Sequence, residues 1–167
     1  RILVDGEPVT LLRSEAGLQA VRRLKQTPDG YLWLATRGGL VRFDEVRFST
    51  FNASSEQGLE SSTMQDMVID GDGSMWVASL GGGIAHYKAG KFTSYTSRDG
   101  LPSNDIGSLY QDSRGTLWVG TRGGSIARRM NGRFETLPLG IPRSPISAFL
   151  EGRRPIAVDR NVRKRGV

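Results

Sequence analysis

The chain contains no cysteine among its 167 residues, which excludes disulfides and thiolate metal sites. It has one histidine, His86, so a zinc site built on several imidazoles is excluded too. No apolar run reaches the length of a membrane-spanning helix, and no segment has a convincing helical period. These absences are compatible with either the periplasm or the cytoplasm.

The net charge of +6 would suit a nucleic-acid-binding protein, but it is unevenly distributed. Residues 152–167 hold six Lys and Arg residues and one Asp, whereas the rest of the chain holds 17 basic and 16 acidic residues. The part that carries regular motifs is therefore nearly neutral. We expect no nucleic-acid partner for it.

Three segments repeat one motif at a fixed interval. The motif contains a turn glycine followed by an apolar run with one tryptophan, and the tryptophans are 43 and 42 residues apart. The repeated residues are Gly30, Gly73 and Gly115 in the turns and Trp33, Trp76 and Trp118 in the apolar runs. A period of this length, built on one supersecondary unit, is typical of a repeat architecture.

Each repeat contains four short segments with strand character, separated by Gly-rich, Asp-Gly or Asn-Gly turns. Four strands in roughly 42 residues is the size of one propeller blade. The sequence therefore predicts an all-β fold, a partial, open β-propeller of four-stranded antiparallel blades. Blade 1 is expected at 18–62, blade 2 at 63–104 and blade 3 at 105–145, with the start of a fourth blade at 146–151. Residues 1–17 are expected to be a leader or the outer hairpin of a preceding blade.

The repeated tryptophans and glycines have structural interpretations. A ligand contact would not need to recur in every unit, so we expect the tryptophans to pack between blades. The repeated glycines fit turns that need positive φ angles. The glycine runs at 38–39, 81–83 and 123–124 are not expected to bind phosphate, because no helix follows them.

The segments 28–44 and 46–48 resemble the two-component regulator propeller repeat. The third repeat matches the same pattern through Asp112, Gly115 and 117–121, and the segment 99–104 resembles its inter-blade connection. Two departures are Glu45, which stands where a turn glycine is usual, and Ser79, which replaces a threonine. The resemblance covers about residues 17–150.

The resemblance implies a non-catalytic input domain of a bacterial signalling receptor, either a histidine kinase, a hybrid regulator or a diguanylate cyclase. Such domains lie outside the cytoplasm, here in the periplasm, and bind a small ligand that is in some cases an oligosaccharide. It implies no cofactor. Membrane attachment and output would come from further parts of a parent protein, of which this chain is expected to be a fragment. Open end blades also favour self-association and contact with other blades.

The repeat pattern breaks down after Glu151. A reading frame shifted by one nucleotide would permit a fourth Leu-Trp-Ile-Gly-Thr motif, with its tryptophan 40 positions after Trp118. We therefore expect residues 152–167 to be a frameshifted basic tail.

Candidate functional residues are few. His86 is expected to be a surface strand residue whose counterparts are Arg42 and Arg128, and no metal or catalytic site is predicted. The Asp70–Gly73 segment lacks the glutamate that would complete a calcium loop. Propellers bind ligands through their loops, and one loop position carries Arg37 and Arg122 in two of the three repeats. These two arginines are the candidate ligand-binding residues.

Three other functions remain open from the sequence. One is a propeller enzyme similar to a lyase, which would need a His or Glu constellation that a single histidine does not favour. Another is a protein-interaction platform, which a large apolar patch would indicate. The last is a gene fragment without a function of its own.

Overall fold

The computed structural model describes residues 2–4, 7–9, 20–138, 144–146 and 149. The predicted leader beyond its two short strands, and the predicted frameshifted tail, lie outside the described residues. The described chain contains fourteen strands and one short 3-10 helix, Ser97–Asp99. The prediction of an all-β open propeller with four-stranded antiparallel blades is confirmed.

The first two strands form a hairpin of their own, β1 (Ile2–Val4) with β2 (Glu7–Val9). The other twelve strands form three blades, in each of which the strands pair in chain order. Blade 1 contains β3 (Arg23–Gln26), β4 (Leu32–Thr36), β5 (Gly39–Phe43) and β6 (Phe48–Phe51). Blade 2 contains β7 (Met64–Ile69), β8 (Met75–Ser79), β9 (Ile84–Lys88) and β10 (Lys91–Tyr95). Blade 3 contains β11 (Ile106–Gln111), β12 (Leu117–Thr121), β13 (Ile126–Met130) and β14 (Arg133–Leu137).

The turns between strands follow the local sequence. Asn131 and Gly132 both have positive φ, as a tight two-residue hairpin requires, and Ala89 with Gly90 forms the equivalent turn in blade 2. Glu45 has a φ of 72°, so it adopts the left-handed conformation of the glycine it replaces. The substitution noted in the sequence therefore keeps the hairpin between β5 and β6.

Two apolar cores lie between successive blades rather than within them. Trp33 of blade 1 packs into a cluster with Met67 and Val77 of blade 2, and Trp76 of blade 2 packs with Leu109 and Phe134 of blade 3. Strands alternate their side chains between faces, so each blade contributes to the core on either side. The prediction that tryptophans pack between blades is confirmed for Trp33 and Trp76.

The two outer blades differ in how far their outward faces are buried. On the face of blade 1 directed away from blade 2, Leu32, Leu34 and Val41 are buried, with Leu24, Phe43 and Phe48 packed against them. On blade 3, Trp118 is only half-buried. The outward face of blade 1 is therefore buried, whereas the tryptophan on the outward side of blade 3 is partly accessible.

The described residues beyond blade 3 continue its pattern. The backbone N–H of Ile146 donates to the carbonyl of Thr121 at 3.0 Å, and its side chain lies where a Cβ on Gly120 would stand. Phe149 stacks on Tyr110 with ring centroids 6.1 Å apart. Val68 of blade 2 and Leu109 of blade 3 lie in the core between those two blades. Tyr110 and Phe149 repeat this arrangement between blade 3 and the residues that follow it.

Candidate ligand-binding site

The two candidate arginines lie in equivalent turns on one side of the fold. Arg37 joins β4 to β5 and Arg122 joins β12 to β13, and both are exposed. The corresponding residue of blade 2, Leu80, donates its backbone N–H to the carbonyl of Thr63, just before inner strand β7. Arg122 makes the equivalent bond to Asp105, just before β11. These turns therefore lie beside the points where the inner strands begin.

Blade 2 separates the two arginines, and no hydrogen bond joins them. The Nη2 of Arg122 lies 3.5 Å from the Oε1 of Gln65, a buried side chain on the inner strand of blade 2. The guanidinium of Arg37 has no hydrogen bond or ion pair recorded to any described residue. Arg122 thus reaches toward the centre of the fold, and Arg37 stands on the rim.

A groove of about 500 Å³ runs along the three inner strands. Its volume falls in the range of small-molecule sites, roughly 300–1,000 Å³. The polar residues that line it come from all three blades, and they are Arg23, Lys25, Gln26, Asp66, Tyr110 and Gln111. The groove, rather than the turns alone, is therefore a candidate site, because it brings polar side chains of three blades together.

Asp66 connects the three blades at this groove. It accepts hydrogen bonds at 2.9 Å from the Nε of Arg23 in blade 1, and from the backbone N–H groups of Met67 and of Leu109 in blade 3. The Asp66 side chain is 8 % exposed. A buried carboxylate is tolerated only with such partners, and here three donors engage both of its oxygens.

The position of Asp66 depends on a β-bulge. The pairing of β7 with β8 shifts between Met64 and Asp66, so Gln65 is an extra residue, and the pairing of β11 with β12 shifts equally around Gly107. A bulge re-aims the side chain that follows it. In the strand register, Arg23, Asp66 and Ser108 occupy equivalent places opposite the second strand of each blade.

We expect Asp66→Asn to destabilise the chain by about 2 kcal/mol, because the amide cannot accept from both backbone donors and also pair with the guanidinium. Urea unfolding monitored by tryptophan fluorescence measures the loss. Asp72→Asn is the matched control, since Asp72 pairs with Lys88 in an exposed ion pair and should cost well under half as much. Equal losses in the two variants would contradict a special role for Asp66.

The repeated tryptophans of blades 2 and 3 are anchored by aspartates. The indole N–H of Trp76 donates to Asp70 at 3.1 Å, and that of Trp118 donates to Asp112 at 2.9 Å. Burial opposes the ionisation of Asp112, but the hydrogen bonds from Trp118 and from backbone amides outweigh it and lower the pKa of this carboxyl. These aspartates are therefore structural partners of the motif.

His86 lies on the third strand of blade 2 and pairs across the sheet with Trp76, as Arg42 pairs with Trp33 and Arg128 with Trp118. The expected equivalence of these residues is confirmed. The imidazole stacks on the Trp76 indole with ring centroids 4.0 Å apart, and its Nε2 lies 3.1 Å from the Ser74 hydroxyl. It is half-buried rather than on the surface, and it does not line the groove.

Burial, and next the charge of Arg129, lower the pKa of His86; Lys88 acts in the same direction, whereas Asp70 and Asp72 oppose it. The unfolded chain then binds a proton more readily than the folded one. Stability is therefore full above the ordinary histidine pKa of about 6.5 and falls as the pH drops below it. We expect the free energy of unfolding to decrease between pH 7.5 and 5.5 in urea titrations.

His86→Phe is the control for this pH dependence, because it retains an aromatic stack on Trp76 and removes the only imidazole of the chain. Its unfolding free energy should be nearly constant across the same interval. A slope that persists in this variant would contradict the assignment to His86.

The described residues do not form a metal or catalytic centre that can be recognised. No three His, Cys, Asp or Glu side chains among them are grouped so that they could hold a metal ion. Within this part of the chain there is also no helix with the length and apolarity needed to cross a membrane. The polar residues of the groove comprise two cations, one carboxylate, two amides and a tyrosine, alongside apolar side chains.

Sequence reasoning missed Arg23, Lys25, Gln65 and Asp66 because it searched the turns and not the strands. A signal was present: β3 has the sequence Arg-Leu-Lys-Gln, with charge on every second residue. Such alternation in a strand predicted to lie innermost indicates a polar channel wall.

The sequence model of the family described as two component regulator propeller matches residues 100–123. This segment runs from the connection before blade 3 to the turn that contains Arg122. The sequence of this segment is thus similar to one repeat of that family. No curated protein matches the chain by sequence.

Among solved structures, the chain is similar to the extracellular domain of a hybrid two-component system of B. thetaiotaomicron, with a TM-score of 0.67 and 22 % identity. The match covers 83 % of this chain and 20 % of that one, so the chain spans about a fifth of its length. A second such domain of the same organism has 23 % identity and a TM-score of 0.45, with 77 % of this chain and 22 % of that one covered. The first likeness supports the propeller fold.

Proposed function

We propose that this chain is part of a non-catalytic, ligand-sensing propeller module of a bacterial signalling receptor, of either the two-component or the cyclic-di-GMP type. The observation that carries the proposal is the family repeat at 100–123, set in three consecutive blades of one pattern. In this proposal the module lies in the periplasm. A small ligand would bind at the groove and its mouth, where Arg122 and Arg37 stand on the turn side.

The geometry supports binding better than catalysis. His86 is stacked on Trp76 within a blade, away from the groove. The groove carboxylate, Asp66, already accepts three hydrogen bonds, so it is poorly placed to act as a general base. Among the described residues, His86 and Asp66 are therefore not placed to act together as a catalytic acid and base, and the enzyme alternative is less well supported.

An interaction platform is also less well supported. The large apolar side chains exposed in the described part are Val21, Val46 and Met130, and they lie in different segments of two blades. Single exposed apolar residues are normal on a protein surface, whereas a partner site needs a contiguous patch.

The coding DNA tests the proposal. Sequencing across codon 152 and a few kilobases on either side should reveal further blades, a membrane-spanning helix and a kinase or cyclase in one open frame, restored by a single-base shift. If the frame is intact and no output domain is encoded nearby, the proposed role in a receptor is wrong.

A further inference from the structure

The inner groove has more positive than negative side chains among its described lining residues. Its one carboxylate among the described lining residues, Asp66, has both oxygens engaged. Gln26 and Gln111 direct their amide NH₂ groups to neighbouring oxygens, at Gly30 and Asp70 respectively. The positive groups are Arg23 and Lys25, so the described wall has an excess of one positive charge.

The two cations lie on the same face of β3. They are two residues apart, and Leu24 between them packs on the opposite face, within the cluster on the far side of blade 1. Arg23 pairs with Ala35 and Lys25 with Trp33 in the sheet, and both partners lie in the core between blades 1 and 2. Both side chains are thus directed toward the side where blade 2 and the groove lie.

Arg23 is held in a defined orientation. Its Nε donates to Asp66 and its Nη1 to the Arg22 carbonyl at 3.1 Å, which leaves Nη2 without a recorded protein acceptor. Lys25 is exposed and has no hydrogen bond or ion pair recorded to a described residue. A guanidinium oriented by a buried carboxylate, next to an unpaired ammonium, is an arrangement that recognises an anionic oxygen pair.

We propose that Arg23 and Lys25 bind the carboxylate of a small organic acid in the inner groove, one oxygen on the Arg23 Nη2 and the other on the Lys25 ammonium. The inference rests on the proposed ligand-sensing function and names the class of ligand. Asp66 is a positioning residue, because it acts on the ligand only through Arg23.

The test compares D-glucuronate with D-glucose, which differ in having a carboxylate or a CH₂OH group at C6. Each is titrated into the ¹⁵N-labelled 167-residue chain at low ionic strength and followed by amide chemical shifts. We expect glucuronate to bind at least tenfold more tightly, with the largest shifts in β3 and β7. Equal affinities, or no binding of glucuronate, would overturn the proposal. D-glucose 6-phosphate is a third arm, and preference for it over glucuronate would overturn the assignment to a carboxylate.

Three variants locate the site. Lys25→Gln should weaken glucuronate binding about tenfold, whereas Lys25→Arg, which keeps the charge, should largely retain it. Lys91→Gln removes an exposed lysine on the outer strand β10 and should leave the affinity unchanged within twofold. Loss of affinity in Lys91→Gln equal to that in Lys25→Gln would show nonspecific charge attraction and refute the site. Both positions are exposed, so the substitutions should not affect folding.

The titration tests the carboxylate site and the DNA sequencing tests the receptor role, so either hypothesis can be refuted without the other. Binding of glucuronate at Lys25 without any encoded output domain would support the groove and refute the receptor. If the DNA encodes a complete receptor but the groove binds glucuronate and glucose equally, the receptor role is supported and the carboxylate site is refuted.

Discussion

Replacing Trp76 with alanine should cost about 4 kcal/mol of unfolding free energy, a large part of the stability of a chain of this size. Its indole is 3 % exposed and joins blades 2 and 3. The ring stacks on His86 and contacts Tyr95 and Phe134, and the Arg129 guanidinium lies 4.9 Å above it. Truncation removes all of these contacts and leaves a cavity between the blades. Urea denaturation followed by circular dichroism measures the effect.

Trp118→Ala is the matched control for that substitution. Trp118 occupies the equivalent strand position and makes the equivalent bond to its aspartate, but it is only half-buried. Its loss should cost about 2 kcal/mol, since the burial term scales with the apolar area removed from water. If the two substitutions cost the same, packing between blades 2 and 3 is not the source of the tryptophan's contribution.

The second large effect is expected at the connection between blades 1 and 2. Gly58 has a φ of 87°, and a Cβ placed on it would lie 2.2 Å from the carbonyl oxygen of Phe92 on the outer strand of blade 2. Its own carbonyl accepts a hydrogen bond from the Ser94 hydroxyl, and Leu59 after it is buried in the core between these blades. Gly58→Ala should therefore cost about 3 kcal/mol or more, from backbone strain and displacement of the connection.

Gly90→Ala separates these two causes. Gly90 has a φ of 79°, but no atom lies within 4 Å of the position its Cβ would take. Only the conformational cost of about 1–2 kcal/mol should remain. Thermal unfolding of the two variants side by side gives the comparison, and a Gly90→Ala loss as large as that of Gly58→Ala would refute the role of close packing.

The repeat spacing was sufficient to predict the blades, because it reflects contacts that recur in each unit. Trp33 and Trp76 pack between blades for that reason, and alignment of the repeats correctly placed His86 at the position of Arg42 and Arg128. Residues that differ between repeats were harder to place. Alternation along β7 does not reveal that Gln65 is an extra residue, and a shift of one residue reverses the face of each side chain near it.

The groove was missed for a related reason. The bond from Arg23 to Asp66 joins residues 43 positions apart, and it exists only because two separate blades place their inner strands side by side. No local pattern records such a contact. The turn arginines were visible because they recur at one position, yet Arg122 has a partner on a neighbouring blade, Gln65, whereas Arg37 has none among the described residues.

The position shared by Arg23, Asp66 and Ser108 distinguishes blades that otherwise look interchangeable. The arginine of the first donates to the aspartate of the second, and the serine of the third donates to the carbonyl of Ile146 at 2.7 Å. If the first two blades exchanged places, Asp66 would no longer face the guanidinium of Arg23. The bond between Arg23 and Asp66 therefore favours one order of the first two blades, although their strands and turns follow the same pattern.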